Sequence, residues 1–246
     1  MRTRRSLKIA TALVLVLVCA LIGIRQLARA RTFQLFGTLV PSVATTERRV
    51  ALSFDDGPSA GPLDTLLALL AARGVSATFF VIGHDLAALP DAGRRIVAAG
   101  HELGNHTYSH KRMIFLRPAT VRSQLEPTDS LIRAVGHQGP ILFRPPYGQK
   151  LAVLPWYLSR TRRTTVTWDV EPDSYPEVAA SAEGIVRHVL DRARPGSIIL
   201  LHVWYPSRAT SLRAVGPLID SLHARGYRVG SVRQLLAAQP GASGRR

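Results

Sequence analysis

Ser53-Phe54-Asp55-Asp56-Gly57-Pro58 sets two adjacent carboxylates at the end of an apolar run, Val50-Ala51-Leu52 and then Phe54. Neighbouring residues of a strand point to opposite faces. Two aspartates inside one would therefore bury at least one charge, which costs several kcal/mol or forces it to take up a proton. The pair belongs where a strand ends and Gly57-Pro58 turns the chain. Alone, it reads more readily as an Asx-type turn with both acids in water. His106 and His110 are four residues apart, so a helical turn puts both imidazoles on one face, as chelation requires. Two neutral nitrogens and one carboxylate, with positions left for water, make a catalytic rather than a structural metal site. Taken singly, the two histidines read as solvated or core residues and Arg144 as a surface charge. His202, behind the apolar Ile198–Leu201 run, reads as a satisfied buried histidine.

The elements that must hold these residues follow from periodicity. Strands are predicted at Val50–Phe54, Val75–Ile82, Glu102–Leu103, Ile141–Phe143, Thr164–Trp168, Ser197–Leu201 and Arg228–Gly230. Helices fall between them at Pro62–Arg73, Pro90–Ala99, Pro118–Val135, Gln149–Ser159, Ala179–Ala193 and Ser211–Arg225, with Val232–Ala238 last. Strands alternating with helices imply a parallel sheet with crossovers. About seven such units fit an α/β fold of the distorted parallel (β/α) barrel type, and no G-x-G-x-x-G follows the first strand to suggest a nucleotide site. In a parallel barrel the C-terminal strand ends share one face. In chain order these ends supply Asp55 and Asp56, His106 and His110, Arg144 to Gly148, Trp168 to Glu171, and Leu200 to His202. The joint occurrence outweighs each separate bland reading.

The chain has 246 residues, 46% hydrophobic and 20% charged, enough for one domain with a large core. Residues 1–30 stand apart: Arg2, Arg4, Arg5 and Lys8 precede an apolar run from Ile9 to Ile24. That is the pattern of a secretory signal or a signal-anchor. Ala28-Arg29-Ala30 offers a cleavage site, while Arg25, Arg29 and Arg31 favour an anchored protein facing out of the cytoplasm. Residues 31–48 read as a linker, 49–240 as the catalytic domain and 241–246 as a loose tail. Cys19, in the apolar run, is the sole cysteine, so the domain has neither a disulfide nor a cysteine metal site. The net charge of +16 is almost all arginine and suits an anionic envelope. It forms no basic stripe with interleaved aromatics, and nucleic acid is not an expected partner.

Between Val50 and Val232 the chain resembles the NodB-homology polysaccharide deacetylases of carbohydrate esterase family 4. The motif T/S-F-D-D-G-P is matched by Ser53–Pro58, H-S/T-x-x-H by His106–His110, R-x-P-Y by Arg144–Tyr147 and L-x-H by Leu200–His202. Lys111 stands where a proline usually follows the second motif. The fourth motif departs further: Ser174-Tyr175 occupies the place of the usual Asp-Trp pair, which leaves Asp173 or Glu171 to tune the catalytic histidine and Tyr175 to replace the Trp as a pocket wall. The resemblance implies a divalent metal, zinc in the first instance, held by Asp56, His106 and His110. It implies Asp55 as general base oriented by Arg144, His202 as general acid, an oxyanion contact at Tyr147, and Trp168 and Leu200 around the acetyl methyl. The implied substrate is an N-acylated glycan such as peptidoglycan or another N-acetylglucosamine polymer. A deformylase or deacetylase of a lipid-linked sugar, or a catalytically silent glycan-binding module, are the other readings.

Overall fold

In the computed structural model, residues 2–239 are described; the tail expected at 241–246 lies outside them. The chain opens with α1 (Arg2–Arg29). Its Leu7–Arg29 stretch has 23 residues and contains an 18-residue window with a mean hydropathy of 2.7, long and apolar enough to cross a membrane. Leu13, Leu15 and Val16 on it stay exposed. Then come β1 (Thr38–Val40), β2 (Arg49–Asp55), α2 (Ala60–Ala71), β3 (Thr78–Val81), α3 (Gly83–Ala88), α4 (Pro90–Ala98) and β4 (Glu102–Asn105). The second half holds α5 (Pro118–Ala134), α6 (Val153–Arg160), β5 (Thr164–Val166), α7 (Pro176–Ala179) and α8 (Ala182–Arg192). It closes with β6 (Ile198–His202), α9 (Ala209–Ala224), β7 (Arg228–Gly230) and α10 (Val232–Ala237).

All the paired strands run parallel, in the order β4-β3-β2-β6, with β7 beside the first half of β2 and β1 beside β5. Single bridges carry the circuit onward: Asn105 to Phe143 and Phe143 to Thr165 link β4 with β5. An antiparallel bridge from Ser42 to Ser197 ties the chain after β1 to the start of β6. This is a distorted (β/α) barrel rather than a fully laddered one. Seven strands are present among the described residues, but not the expected seven. Ile141–Phe143, flanked by Pro140 and Pro145, makes only single bridges to its neighbours, both at Phe143. Thr38–Val40, within the segment expected to be a linker, takes a place as β1 instead, and Val43 behind it is buried.

β2 is the central strand and is buried from Val50 to Asp55. Its Val50, Leu52 and Phe54 face a cluster with Leu66 and Leu70 of α2, Phe79 and Val81 of β3, and Leu218 and Ile219 of α9. Ala51 faces the interior with Phe80, Val166, Trp168, Ile198 and Leu200. Burying a Leu or Phe side chain is worth roughly 1.5–3 kcal/mol, so this strand is pinned from both sides. The aspartates at its end inherit that rigidity.

Candidate active site

Asp55 is the last residue of β2, and its register partner on β6 is His202. The chain then bends sharply: Asp56 has φ 72 and Gly57 φ 61. A Cβ on Gly57 would lie 2.6 Å from the Trp204 ring, so only glycine fits this turn. After β4 a similar bend follows, with Thr107 at φ 68 and His110 at φ 53. His106 and His110 meet across this irregular loop and not on a helical turn, their ring centroids 5.0 Å apart. Asn105 holds the loop in place. Its side chain accepts from the Thr107 N–H at 2.8 Å and donates to the Leu125 carbonyl and to Asp129. Left-handed backbone at non-glycine residues costs about 1–3 kcal/mol each. With Tyr147 at φ 59, four such residues surround this site.

Asp56, His106 and His110 each point one ligand atom into a common space, all within 4.8 Å of one another. His106 Nδ1 donates to the Arg144 carbonyl at 2.8 Å, which leaves its Nε2 lone pair facing Asp56 Oδ1 at 3.8 Å. His110 Nε2 lies 3.3 Å from the same oxygen. Burial, and then the neighbouring His106, lower the pKa of His110 against the pull of Asp56 and Asp55, which favours the neutral ligand form. Asp56 Oδ1 is buried without a hydrogen-bond partner. A buried carboxylate oxygen left unpaired beside two imidazoles fits a divalent cation, because a cation supplies the missing partner for all three groups.

Asp55 is held apart from this trio. Arg144, fully buried, donates from Nη1 to Asp55 Oδ1 at 2.6 Å and to Ser53 Oγ at 3.0 Å, and from Nη2 to the Thr167 carbonyl at 3.1 Å. Its guanidinium carbon lies 4.0 Å from the Phe80 ring centroid. Burial pushes the Arg144 pKa down while Asp55 opposes it, and a guanidinium stays charged even so. Asp55 Oδ2 faces the metal space, 3.7 Å from His106 Nε2.

On the opposite wall, His202 at the end of β6 is tied to Asp173, which decides between the two candidate acids. Asp173 Oδ1 lies 3.1 Å from His202 Nδ1, Asp173 Oδ2 accepts from the His202 N–H at 2.7 Å, and Ser211 Oγ adds a third bond. Burial works against the imidazolium, but the hydrogen bond and charge of Asp173, helped by Asp55 and Asp56, push the His202 pKa up to about 9. Glu171 is engaged elsewhere, accepting from Trp168 Nε1 at 2.8 Å and Ser174 Oγ at 2.6 Å. Trp168 and Leu200, both buried, line the cleft, as do Tyr147 and Tyr175 on its exposed rim. Tyr147 sits 4.7 Å from the His110 ring and Tyr175 5.3 Å from His188. All ten expected residues thus converge; Arg144 supports the cleft from behind and the other nine line a cavity of about 580 Å³. Arg29, Arg31, Arg112, Gln149 and Arg208 line it as well, and sequence reasoning named none of them as site residues.

The family model described as polysaccharide deacetylase matches residues 42–166. A chitooligosaccharide deacetylase from Bradyrhizobium is 35% identical over 200 residues, 76% of this chain and 90% of the relative. The chain belongs to the polysaccharide deacetylase family. Among solved structures, a peptidoglycan N-acetylglucosamine deacetylase in complex with an N-oxidanyl-benzamide superposes with a TM-score of 0.74 and 30% identity. The match covers 79% of this chain and 90% of that one. A pseudoenzyme of carbohydrate esterase family 4 from Bacillus anthracis superposes with a TM-score of 0.71 and 26% identity, over 82% of this chain and 71% of its own. The shared fold therefore occurs with and without activity, and the deacetylase's own side chains must carry the functional argument.

Proposed function

We propose that this polysaccharide deacetylase hydrolyses N-acetyl groups from N-acetylglucosamine-containing glycans outside the cytoplasm, using a divalent ion, zinc, held by Asp56, His106 and His110. The observation that carries the reading is the unpartnered Asp56 Oδ1 between two imidazole Nε2 atoms, with the Asp55–Arg144 pair on one side and His202 on the other. A divalent ion bound there supplies Lewis-acid chemistry, lowering the pKa of water and polarising a carbonyl.

The chain's own residues do the rest. Asp55 keeps Oδ1 on Arg144 and has Oδ2 free to take a proton from the attacking water. The buried Arg144 holds that carboxylate in line and ionised. Addition of water to the acetyl carbonyl gives a tetrahedral oxyanion, for which the Tyr147 backbone N–H is the contact that the family resemblance implies. His202, oriented through Nδ1 by Asp173, delivers its Nε2 proton to the departing nitrogen as the C–N bond breaks. One amide and one water become one acetate and one protonated amine. Trp168 and Leu200 bound the space for the acetyl methyl, and Tyr175 stands as a sugar wall in the place of the usual Trp.

The complete set of acid, base and ligands argues against a silent glycan-binding module. The full chain, purified in detergent, is expected to carry one divalent ion and to release acetate from N-acetylglucosamine oligomers or peptidoglycan, to lose the activity on chelation, and to regain it with zinc. A folded protein that takes up no metal would overturn the reading.

A further inference from the structure

We propose that Arg29 and Arg31, at the end of the membrane-length helix, belong to the substrate cleft and, with Arg112 and Arg208, recognise a phosphate carried by the N-acyl sugar. This deepens the deacetylase reading and rests on it. The segment is built into the barrel. The Ala28 carbonyl accepts from the Lys150 N–H at 2.9 Å, the Ala30 carbonyl from Lys150 Nζ, and the Arg31 carbonyl from Thr167 Oγ1 at 2.7 Å. Ala28 and Lys150 are both buried. These bonds set Arg29 and Arg31 on the wall of the same cavity as Asp55, Asp56 and His202. Cleavage after Ala30 would remove Arg29 from this wall and leave Arg31 at a new N-terminus.

The charge of the cleft is the second observation. Asp55 is paired with Arg144, Glu171 accepts from Trp168 and Ser174 with Arg31 3.5 Å away, and Asp56 is the carboxylate of the proposed metal trio. Among the described residues, Arg29, Arg112 and Arg208 have no carboxylate partner. Arg112 lies over the Tyr147 ring at 4.5 Å and donates to Gln149, and Arg208 donates to the Asp173 carbonyl. Four guanidiniums lining one cavity match a phosphate, whose oxygens accept charge-assisted, bidentate hydrogen bonds that the hydroxyls of a neutral sugar do not. α1 is long and apolar enough to cross a membrane, and a span there would put the cleft at the boundary between lipid and water, where lipid-borne phosphates lie.

The test uses the full metal-loaded chain in detergent and compares kcat/KM for acetate release from three substrates. These are neutral chitotetraose, N-acetylglucosamine 1-phosphate, and N-acetylglucosamine joined through diphosphate to a polyprenol. A phosphorylated substrate is expected to be preferred about tenfold or more, since charge-assisted hydrogen bonds are roughly twice as strong as neutral ones. The preference should shrink as ionic strength rises. Arg29→Gln/Arg31→Gln should collapse the preference mainly through KM, while Arg213→Gln, an exposed arginine on α9, should leave the ratio as it is. Preference for the polyprenyl compound over the soluble phosphate would identify the source as lipid; equal use would identify a soluble sugar phosphate. Calorimetric titration with N-acetylglucosamine 1-phosphate reads binding apart from chemistry. Saturable binding that the double variant loses, without acetate release, would uphold the phosphate site and sink the deacetylase reading. Absence of such binding, or a wild-type ratio near one, would overturn the inference.

Discussion

At the C-terminal ends of β2, β4 and β6, and just after the bridging Phe143, the barrel gathers Asp55, Asp56, His106, His110, His202 and Arg144. At the opposite end of β4 it gathers a second buried set of the same chemistry: His101, Glu102 and His137, with Arg233 from α10. The two differ in how their polar atoms are spent. At the second set Glu102 accepts from Thr78 Oγ1 at 2.6 Å and from the backbone N–H and Nε of Arg233, both at 3.1 Å. His101 Nδ1 accepts from the Ala77 N–H at 3.3 Å, and Arg233 also lies 3.1 Å from His137 Nε2. None of these side chains is buried without a partner, whereas Asp56 Oδ1 and Thr107 Oγ1 are. Similar residues therefore make a fastener at one end and the candidate active site at the other. What separates them is unspent hydrogen-bonding capacity and backbone strain.

The sharpest way to break this comparison is Asp55→Asn. Removing the proposed base should lower kcat by about 10²–10⁴-fold, with metal content unchanged by elemental analysis. The same variant leaves the Arg144 guanidinium buried beside a neutral partner, so a stability loss of about 3 kcal/mol should appear in chemical unfolding. Loss of metal with the fold intact would instead place Asp55 among the ligands.

Asp173→Asn comes next, with kcat down about 100-fold. Asp173 raises the His202 pKa, and the acid form is the one needed. Activity is lost as pH rises through that pKa, so the alkaline limb of the pH–rate profile should move to lower pH in the variant. An unmoved limb would detach Asp173 from His202's proton. The corresponding change at the other end, Glu102→Gln, should leave kcat/KM alone and cost about 1–3 kcal/mol of stability. A comparable fall in activity would show that the second cluster takes part in the chemistry.

Much of this contrast is legible in the sequence, though unevenly. Asp55, Asp56, His106, His110, Arg144 and His202 could be read because each terminates an apolar strand or sits in a short motif. α5 was readable from its period despite Pro127 inside it, its last residue falling one short of the expected Val135. The choice between Asp173 and Glu171 was not, since both lie in an irregular loop where spacing carries no direction. β1 was hidden because three residues between Gly37 and Pro41 show no period. The role of Ala28–Arg31 was hidden for a different reason: its attachment is made by backbone carbonyls, which every sequence has. Lys150, one of only three lysines and buried, is the residue that could have hinted at it.

The smallest effect distinguishes the two ends by pH alone. Burial holds the pKa of both His101 and His137 down at about 4, with the Arg233 charge adding at His137. An unfolded histidine titrates at about 6.5, so between these values the unfolded chain binds more protons than the folded one. Stability contributed by the pair is full above pH 6.5 and lost as pH falls towards 4, on the order of 2 kcal/mol for each. His202 has the opposite sign: raised to about 9, it contributes fully below pH 6.5, and that contribution fades as pH rises through 9. Unfolding measured with chelator present, so that metal does not enter, should show an acid limb that flattens in His101→Asn/His137→Asn and an alkaline limb that flattens in His202→Asn. If the acid limb survives the double change, the fastened end is not where the protein senses acid. The carboxylates around Arg144 and the two ligand histidines would then have to account for it, and the two ends would be less separate than their hydrogen bonds suggest.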